Sequence, residues 1–354
     1  MTPAATQRPC ALGSHRVIAP AGALPQNAWK VDNAPVAHAN EILCEVETLN
    51  VDSASFKQMY DACAGDAEAI GAHILATVQE RGKQHNPVTG SGGMFVGTVL
   101  GIGPALAARD DIAVGDRIAS LVSLSLTPLL LESIEHVDVA TGQVGVRGKA
   151  ILFESGIYAR LPADLPVPVA LAVLDVAGAP AQVARLTKPG MTDCVIGADG
   201  KSGLLACAQG RKGVGPQGRV VGIVPSAQTD GARLLLAHGY VDELIVADAR
   251  NTLDVMEQLP AALPGLADLV VNCVNVGGTE VASILCCKDH GIVYFFSMAT
   301  SFTAAALGAE GIGKDVSMMV GNGYAKGHAA VALQTLRDHP PLKDYFIARH
   351  GARA

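Results

Sequence analysis

The clearest indication of the fold comes from the segment Cys194-Val-Ile-Gly-Ala-Asp-Gly-Lys-Ser-Gly-Leu-Leu-Ala-Cys-Ala-Gln209. Apolar residues lead into a turn of small residues, and an Ala- and Leu-rich run without β-branched residues follows. This pattern predicts a strand, a tight turn and a helix. Ala198, Gly200 and Gly203 keep the spacing of the dinucleotide fingerprint, with alanine in the first glycine position. Gly200 would let a pyrophosphate approach the backbone, and Gly203 would let the helix pack closely on the strand.

The chain around the fingerprint alternates between short apolar segments and helical patterns. Strands are predicted at residues 194–197, 219–224, 241–246, 269–274 and 291–296, and helices at residues 170–186, 203–211 and 230–238. Nearly continuous apolar strands separated by helices are typical of a parallel sheet covered on both faces. The fingerprint opens this series, which is the context that a dinucleotide site requires.

A phosphate-binding P-loop is the competing interpretation of the same turn, because Gly200-Lys201-Ser202 matches the end of that motif. The P-loop also needs a glycine at the position that Val195 occupies. We therefore exclude it.

Residues 1–160 show a different pattern. Strands are predicted at residues 41–49 and 114–122, a glycine-rich turn with a strand at residues 90–104, and a helix at residues 66–80. Short strands with glycine turns indicate a compact β-barrel. Three prolines within residues 161–168 then mark a linker to the second domain.

The composition of the 354 residues excludes several classes of function. A net charge of −7, no run of Lys and Arg, and only 4% aromatic residues argue against nucleic acid or an anionic membrane as partner. The most apolar segment, residues 118–131, is too short and too polar to span a bilayer. Because no apolar signal-peptide core lies near the N-terminus, we expect a cytoplasmic protein.

The eight cysteines include no C-x-x-C pair, and several lie within apolar strand or helix patterns. We expect free, buried thiols in a reducing compartment and no structural zinc. Cys286 and Cys287 are adjacent on a predicted helix, and the same interpretation is preferred for them.

The barrel, the proline-rich joint, the dinucleotide domain and a short C-terminal return together resemble the medium-chain dehydrogenase/reductase superfamily. The resemblance implies an α/β protein with a GroES-like β-barrel domain, residues 1–165 with 322–354, which holds the substrate. It implies a Rossmann domain with a doubly wound parallel sheet at residues 166–321. It also implies a homodimer joined edge to edge through the Rossmann sheets.

Four stretches are similar to the L-erythro-3,5-diaminohexanoate dehydrogenase family of lysine fermentation. They are Gly13-Ser-His-Arg-Val-Ile18, Leu49-Asn-Val-Asp-Ser-Ala-Ser-Phe56, Arg81-Gly-Lys-Gln-His-Asn-Pro-Val-Thr-Gly-Ser-Gly-Gly-Met94 and Leu152-Phe-Glu-Ser-Gly-Ile-Tyr158. This resemblance implies NAD(P)-dependent oxidative deamination of a diamino acid at C3, which yields 5-amino-3-oxohexanoate, ammonia and the reduced nicotinamide.

Zinc-dependent members of the superfamily carry a Gly-His-Glu motif where this chain has Gly92-Gly93-Met94, and a four-cysteine loop that this chain lacks. A thioether is a poor substitute for imidazole at a zinc site. We therefore expect no catalytic metal.

The choice between nicotinamide cofactors rests on the end of the second strand after the linker. A carboxylate there binds the ribose hydroxyls in NAD-preferring sites, but this strand ends Ile223-Val-Pro-Ser226. Without an acid there is no charge to repel a 2′-phosphate, and Ser226 would donate a hydrogen bond to it. Arg233 is either a counter-ion of that phosphate or a solvated residue on a helix face. NADP is therefore predicted to bind, with NAD as the alternative. The other expected cofactor contacts form the fingerprint or follow strand ends, and they are Ala198, Asp199, Gly200, Lys201, Ser202, Gly203, Asn275 and Ser297.

Without a metal, the reaction needs a base for the substrate amine, a group that activates water and a cation for the carboxylate. His85 is the expected base, because its ordinary pKa lies near neutrality; a surface-loop histidine is the alternative. Asp52 follows the strand that ends near Leu49, where superfamily members place an active-site residue. Asp175 lies in an apolar helical pattern, as an ion-pair partner or as a contact for the substrate ammonium.

Substrate contacts are expected from carboxylate clamps, from backbone N–H groups of the glycine-rich turn, and from the end of the barrel. These residues are Arg81, Lys83, Ser91, Gly92, Gly93, Glu154 and Tyr158. Two other functions stay open at this point. One is a zinc-free NADPH-dependent quinone or enoyl reductase of the same fold, and the other is a nucleotide-binding redox sensor that uses Cys286 and Cys287.

Overall fold

The computed structural model describes residues 9–86, 90, 92–297, 299–321 and 323–351, and for Ser53 and Ala54 only the backbone. Two compact units make up the chain, Met1–Leu161 and Pro162–Ala354. Each unit has its own hydrophobic core.

The first unit is an antiparallel sheet with two helices. Its elements are β1 (Val17–Ala19), β2 (Lys30–Val31), β3 (Glu41–Asn50), α1 (Ser53–Ala62), α2 (Ala67–Arg81), β4 (Met94–Ile102), β5 (Arg117–Ser120), β6 (Leu129–Asp138), β7 (Gln143–Phe153) and β8 (Tyr158–Arg160). The main sheet has the order β6-β7-β3-β4-β5-β8, and β1 pairs with β2. Every pairing in it is antiparallel.

β3 lies in the interior of this sheet, between β7 and β4. Its residues Ile42, Cys44 and Val46 are buried in the core, as the alternating sequence predicts. Glycines let neighbouring strands approach closely. A Cβ on Gly97 would lie 2.0 Å from the Glu45 carbonyl oxygen, so only glycine fits at that position.

Both helices of the first unit begin at an aspartate, Asp52 for α1 and Asp66 for α2, whose side chain accepts a hydrogen bond from the backbone of the first turn. α2 packs against β6 and buries one face, formed by Ile70, Gly71, Ile74 and Val78. It ends at Gly82, whose φ of 72° is the left-handed conformation that commonly terminates helices. The chain then leads into the glycine-rich turn before β4.

The second unit alternates between strands and helices after two initial helices. Its elements are α3 (Val167–Leu174), α4 (Gly178–Leu186), β9 (Thr192–Ile196), α5 (Lys201–Val214), β10 (Arg219–Val224), α6 (Asp230–Ala237), β11 (Glu243–Val246), α7 (Thr252–Ala262), β12 (Ala267–Asn272), α8 (Glu280–Leu285), β13 (Cys287–Phe295), α9 (Phe302–Ile312), β14 (Ser317–Val320), α10 (His328–Asp338) and α11 (Pro340–His350).

The six strands of the second unit form one parallel sheet of order β11-β10-β9-β12-β13-β14. Counted from β9, this is the order 3-2-1-4-5-6 of the doubly wound dinucleotide-binding fold. The strand order reverses between β9 and β12, and ligands of such sheets bind at the carboxyl ends of the strands beside that reversal. The turn after β9, which carries the fingerprint, lies there.

Three sequence predictions differ from this structure. Residues 170–186 form two helices, α3 and α4, and Asp175 caps the first of them. Cys286 caps α8 and Cys287 begins β13, so the pair does not lie within a helix. The described part of residues 322–354 falls in the second unit, where α10 packs on α4 and α11 on α3.

The junction of α3 and α4 accounts for the first difference. The two helices meet at an angle of 51°. Pro180 lies in the first turn of α4, where it has no N–H to bond the carbonyl of Val176 and its ring clashes with that carbonyl, so one continuous helix cannot form. In the described residues no single helix is long and apolar enough to span a membrane. Among them, only this bent pair together has the length and the apolar composition of such a span.

Candidate active site

The glycine-rich turn packs tightly against the end of β3. Gly93 has a φ of 92°, and a Cβ there would lie 2.1 Å from the Asn50 carbonyl oxygen and 2.8 Å from the backbone nitrogen of Asp52. A Cβ on Gly92 would lie 2.6 Å from the Gln84 carbonyl oxygen. The turn therefore requires both glycines, and it places the start of α1 beside the loop that follows α2. The predicted contact Ser91 lies outside the described residues.

Asp52 is fixed by the beginning of α1. Its Oδ1 accepts a hydrogen bond from the backbone N–H of Ser55 at 3.0 Å, and the side chain is half-buried. The residue therefore caps the helix and at the same time lies next to the glycine-rich turn.

His85 is held by Arg81 at the end of α2. The Arg81 guanidinium lies 3.9 Å from the centre of the Trp29 ring, and its Nη1 lies 3.1 Å from Nδ1 of His85. Because a guanidinium has only donors, Nδ1 accepts this bond, and the neutral imidazole carries its proton on Nε2. Burial, together with the charges of Lys83 and Arg81, lowers the pKa of His85 to about 4. In this arrangement His85 is a neutral hydrogen-bond donor, which differs from the base that the sequence predicts.

Lys83 is fully buried, with 0% of its surface exposed. Its ammonium donates hydrogen bonds to the carbonyl oxygens of Pro25, at 2.6 Å, and Gln26, at 3.2 Å. Burial lowers its pKa to about 8, and the charge of Arg81 contributes. These contacts fix the segment before β2 and leave Lys83 poorly suited to the carboxylate clamp that the sequence predicts.

A cavity of ≈ 250 Å³ opens beside His85, between α1, α2 and the loop after α2. It is lined by Ser55, Gln58, Met59, Ala62, His73, Thr77, Gln84, His85 and Asn86. Asn86 joins the two sides of the cavity, because its Nδ2 donates to Ser55 Oγ and to Gln58 Oε1, each at 3.1 Å. Amide, hydroxyl and imidazole groups therefore line part of this space, while most of its lining surface is apolar.

Glu154 and Tyr158 belong to a different cluster of the first unit. Tyr158 donates a hydrogen bond to Asp111 Oδ2 at 2.7 Å, and Arg109 pairs with the same carboxylate at 2.8 Å. Glu154 accepts a hydrogen bond from Asn40 Nδ2 at 3.1 Å. Neither predicted substrate contact is among the described residues that line the cavity.

The fingerprint turn between β9 and α5 has the geometry of a phosphate cradle. Gly197, just before it, has a φ of 75°. A Cβ on Gly203 would lie 2.1 Å from the Gly197 carbonyl oxygen, so α5 packs directly on the turn. In contrast, a Cβ on Gly200 would meet only that same oxygen at 3.6 Å, which leaves its surroundings open. No side chain caps α5 at Gly200, so its first N–H groups are available to an anion. Ala198, buried just before the turn, completes the fingerprint.

Three side chains of the turn have protein partners. The ammonium of Lys201 lies 2.8 Å from Asp175 Oδ2, and both side chains are 38% exposed. Asp199 Oδ2 accepts a hydrogen bond from Thr229 at the start of α6, at 2.9 Å. Ser202 hydrogen-bonds the Cys273 thiol, whose pKa burial raises to about 12. Asp175, a predicted catalytic residue, is thus placed beside the fingerprint by its ion pair with Lys201.

The loop after β10 brings Ser226 and Arg233 together through Gln228. Ser226 Oγ accepts a hydrogen bond from the Gln228 backbone at 3.1 Å, and Arg233 Nη2 donates to the Gln228 side chain at 3.3 Å. Arg233 also pairs with Asp230 at 3.4 Å, with both side chains largely exposed. The Ser226 hydroxyl and the Arg233 guanidinium therefore both lie in the region that follows the carboxyl end of β10.

Asn275 and Ser297 follow the carboxyl ends of β12 and β13. Asn275 is exposed, and Ser297 Oγ accepts a hydrogen bond from the backbone of Ala299 at 3.1 Å. The sequence did not point to Asn272, which ends β12. Its buried amide donates to Thr279 at 2.8 Å and to Ser283 at 2.9 Å, and it shapes the loop that contains Asn275.

Comparison with known proteins shows the family to which this chain belongs. The profile of the L-erythro-3,5-diaminohexanoate dehydrogenase N-terminal domain matches residues 15–162, most of the first unit. A protein of Acetoanaerobium sticklandii named L-erythro-3,5-diaminohexanoate dehydrogenase is 53% identical over 338 residues, which cover 95% of this chain and 98% of that protein. This chain belongs to that family. A protein of Fusobacterium nucleatum with the same name is 50% identical over 339 residues, covering 95% of this chain and 97% of the relative.

Solved structures agree on the fold. CurK enoyl reductase superposes with a TM-score of 0.52 at 14% identity, covering 92% of this chain and 83% of the other. A mycobacterial protein in complex with NADPH superposes with a TM-score of 0.50 at 18% identity, covering 92% and 85%. At these identities the likeness concerns the fold alone. The shared fold is α/β, with a GroES-like domain followed by a Rossmann domain.

One further cluster has the composition of a metal site. Ligand atoms of His15, His38 and Glu41 lie within 4.8 Å of one another. Arg16, however, donates to both carboxylate oxygens of Glu41, at 2.7 and 2.6 Å. The backbone N–H of Cys10 donates to Nδ1 of His15, so its Nε2 carries the proton and donates to Glu41 at 2.8 Å. Both ring nitrogens of His15 and both carboxylate oxygens of Glu41 are therefore already engaged in hydrogen bonds, and these bonds fix the N-terminal segment.

Proposed function

We propose that this chain catalyses the oxidative deamination of L-erythro-3,5-diaminohexanoate. The substrate, water and NAD(P)+ give 5-amino-3-oxohexanoate, ammonia, NAD(P)H and a proton. The observation that carries this proposal is the identity of 53% over nearly the whole length of a relative that bears this name.

The fingerprint turn fits a dinucleotide pyrophosphate, since Gly200 has open space and α5 presents its N-terminus. We assign the cofactor contacts to Ala198, Asp199, Gly200, Lys201, Ser202, Gly203, Asn275 and Ser297. Ser226 and Arg233 are suited to the 2′-phosphate, so we propose that NADP is accepted, with NAD as the alternative. A bound nicotinamide supplies the acceptor for the hydride from C3.

We assign the proton transfers to the first unit. Asp52 takes a proton from the C3 ammonium, so that the neutral amine can lose hydride, and passes this proton to solvent. The regenerated carboxylate then accepts a proton from the water that attacks the imine, because it is fixed at the start of α1 beside the glycine-rich turn. His85, neutral and protonated on Nε2, donates a hydrogen bond to the substrate. Arg81 holds the His85 ring, and the backbone N–H groups of Gly92 and Gly93 remain candidate substrate contacts. We propose that Asp175 acts indirectly, by positioning Lys201.

The test is an assay of both products. The purified chain is incubated with the diamino acid and either NADP+ or NAD+, and the reduced cofactor and ammonia are measured. Both products are expected, with NADP+ used at least as well as NAD+. Reduced cofactor without ammonia would contradict deamination. Oxidation of NADPH by a quinone or an enoyl thioester, with no reaction of the diamino acid, would favour the reductase alternative.

The assembly is also a proposal. β14 is an edge strand of the parallel sheet, and Val320 on it and Leu307 on the adjacent α9 are exposed apolar residues. Such an edge can pair with a second copy, so we propose a homodimer, to be tested by light scattering of the purified chain. The cytoplasmic location stays a prediction.

A further inference from the structure

The cavity beside His85 contains a polar side chain that the described protein leaves unsatisfied. Gln84 is 3% exposed and lines the cavity, and its Oε1 has no hydrogen-bond partner among the described residues. A buried amide oxygen without a partner is energetically costly. The side chain is therefore arranged for a ligand that enters the cavity.

The charges around the cavity select the kind of ligand. Its described lining residues include no carboxylate, and His73 and His85 are the only titratable groups among them. Arg81 contacts the His85 ring directly, and the charge of Lys83 acts on the same ring. The ligand group that faces these two cations is therefore an anion. The N–H donor that the unpartnered Gln84 Oε1 requires has to come from a second group of the same ligand.

The hydrogen-bond donors point to the same conclusion. Nδ1 of His85 is engaged by Arg81, so the ring presents an N–H from Nε2. A glutamine amide presents two N–H donors and one acceptor. Met59 and Ala62 add an apolar wall that suits a short carbon chain.

We propose that this cavity binds the carboxylate of the β-amino acid substrate, with the His85 Nε2–H group and the Gln84 amide as its donors. The inference rests on the proposed function, because it concerns the substrate of that reaction. Gln84 is then a specificity-determining residue: its N–H contacts the carboxylate, and its Oε1 accepts an N–H from the neighbouring C3 amine.

The experiment compares Gln84→Leu and Gln84→Glu with the wild-type chain. Gln79→Leu is the matched control, because Gln79 lies on the exposed face of α2 and does not line the cavity. The probe is 5-aminohexanoate, which keeps the carboxylate and the C5 amine but has no C3 amine to oxidise. Its Kd is measured by calorimetry, the KM of the diamino acid by turnover, and folding by thermal unfolding.

Gln84→Leu is expected to raise the Kd of the probe about 10- to 100-fold, the loss expected for a hydrogen bond to a charged group. Gln84→Glu is expected to raise it further, because the new carboxylate repels the ligand. The control is expected to stay within about twofold of the wild type. Tighter binding by Gln84→Glu would overturn the proposal and assign the cavity to an ammonium. Unchanged binding in both folded variants would overturn it too.

The results that would refute the proposed reaction differ from those that would refute the carboxylate site. If the wild type binds 5-aminohexanoate and the Gln84 variants do not, the carboxylate site is supported even when no ammonia is released from the diamino acid. If the wild type releases ammonia and both Gln84 variants keep its KM and Kd, the site is refuted while the reaction stands.

Discussion

Replacing Gly203 with alanine tests how the fingerprint turn is built. The added Cβ would lie 2.1 Å from the Gly197 carbonyl oxygen and 2.6 Å from Ala198 Cα, whereas real contacts of this kind do not fall below 3.0 Å. Both neighbours are backbone atoms, so α5 has to move about 1 Å away from the turn. Overpacking of this kind costs about 1–3 kcal/mol. For a unit of this size, that corresponds to a fall in Tm of roughly 2–12 °C.

Gly200→Ala separates folding from ligand binding at the same turn. The new Cβ would meet only the Gly197 carbonyl oxygen at 3.6 Å, which is an ordinary contact. Its backbone, at φ −82° and ψ 170°, is open to alanine. We therefore expect a Tm within a few degrees of the wild type but a Kd for the dinucleotide raised about tenfold or more, because the methyl group occupies the space of the pyrophosphate.

Differential scanning calorimetry and fluorescence titration with NADPH and NADH measure the two effects. Gly311→Ala is the control, because Gly311 lies in α9 with no atom within 4 Å of its added Cβ and helix propensity favours alanine there. A Gly203→Ala variant as stable as this control would contradict the close packing of α5 on the turn. A Gly200→Ala variant that binds both dinucleotides as tightly as the wild type would contradict a pyrophosphate site there.

Three further predictions concern single side chains. Asp193 is buried, and burial raises its pKa from 3.8 to about 7; because the folded state holds this proton more tightly than the unfolded state, stability falls as pH rises between these values. Asp193→Asn removes that dependence, so above pH 7 its free energy of unfolding in urea should exceed that of the wild type by at most about 4 kcal/mol. A difference in free energy between the two proteins that stays the same at every pH would contradict the raised pKa of Asp193. Asp52→Asn keeps a helix-capping residue, so we expect an unchanged Tm and a kcat at least about 100-fold lower; a kcat near that of the wild type would remove Asp52 from the mechanism. Arg233→Met should raise the Kd of NADPH about 5- to 10-fold and leave that of NADH unchanged, and an equal effect on both dinucleotides would show that Arg233 does not contact the 2′-phosphate.

The features that the sequence predicts most reliably are those formed by residues close to one another along the chain. The fingerprint is one such case, because the spacing of Ala198, Gly200 and Gly203 is set by a single turn and its two flanking elements. The strands around it are buried on both faces, so their apolar runs are easily recognised. The strand order of the parallel sheet confirms the architecture that these local signals imply.

Side-chain roles in the first unit depend on contacts between distant segments, and no local pattern encodes them. Lys83 follows a helix in a polar loop, which is typical of an exposed cation, yet the carbonyls of Pro25 and Gln26 bury it. His85 has an ordinary pKa in isolation, but its burial and Arg81 convert it into a neutral donor. Gln84 has no motif at all, and only the packing of α1 against the loop after α2 gives it a cavity to line.

The bend between α3 and α4 has a related cause. The apolar run from residue 170 to 186 has the composition of one helix, but Pro180 within it cannot donate the hydrogen bond that would continue α3 into α4. Packing on α5 and α10 then orients α4, and Asp175 is exposed where the axis turns. The same packing explains why α10 and α11 lie with the second unit.

The most direct test of the central claim uses L-erythro-3,5-diaminohexanoate deuterated at C3. Oxidative deamination predicts that the deuterium appears in the reduced nicotinamide and that one ammonia is released for each reduced cofactor. Ammonia without deuterium in the cofactor, or reduced cofactor without ammonia, would contradict the claim.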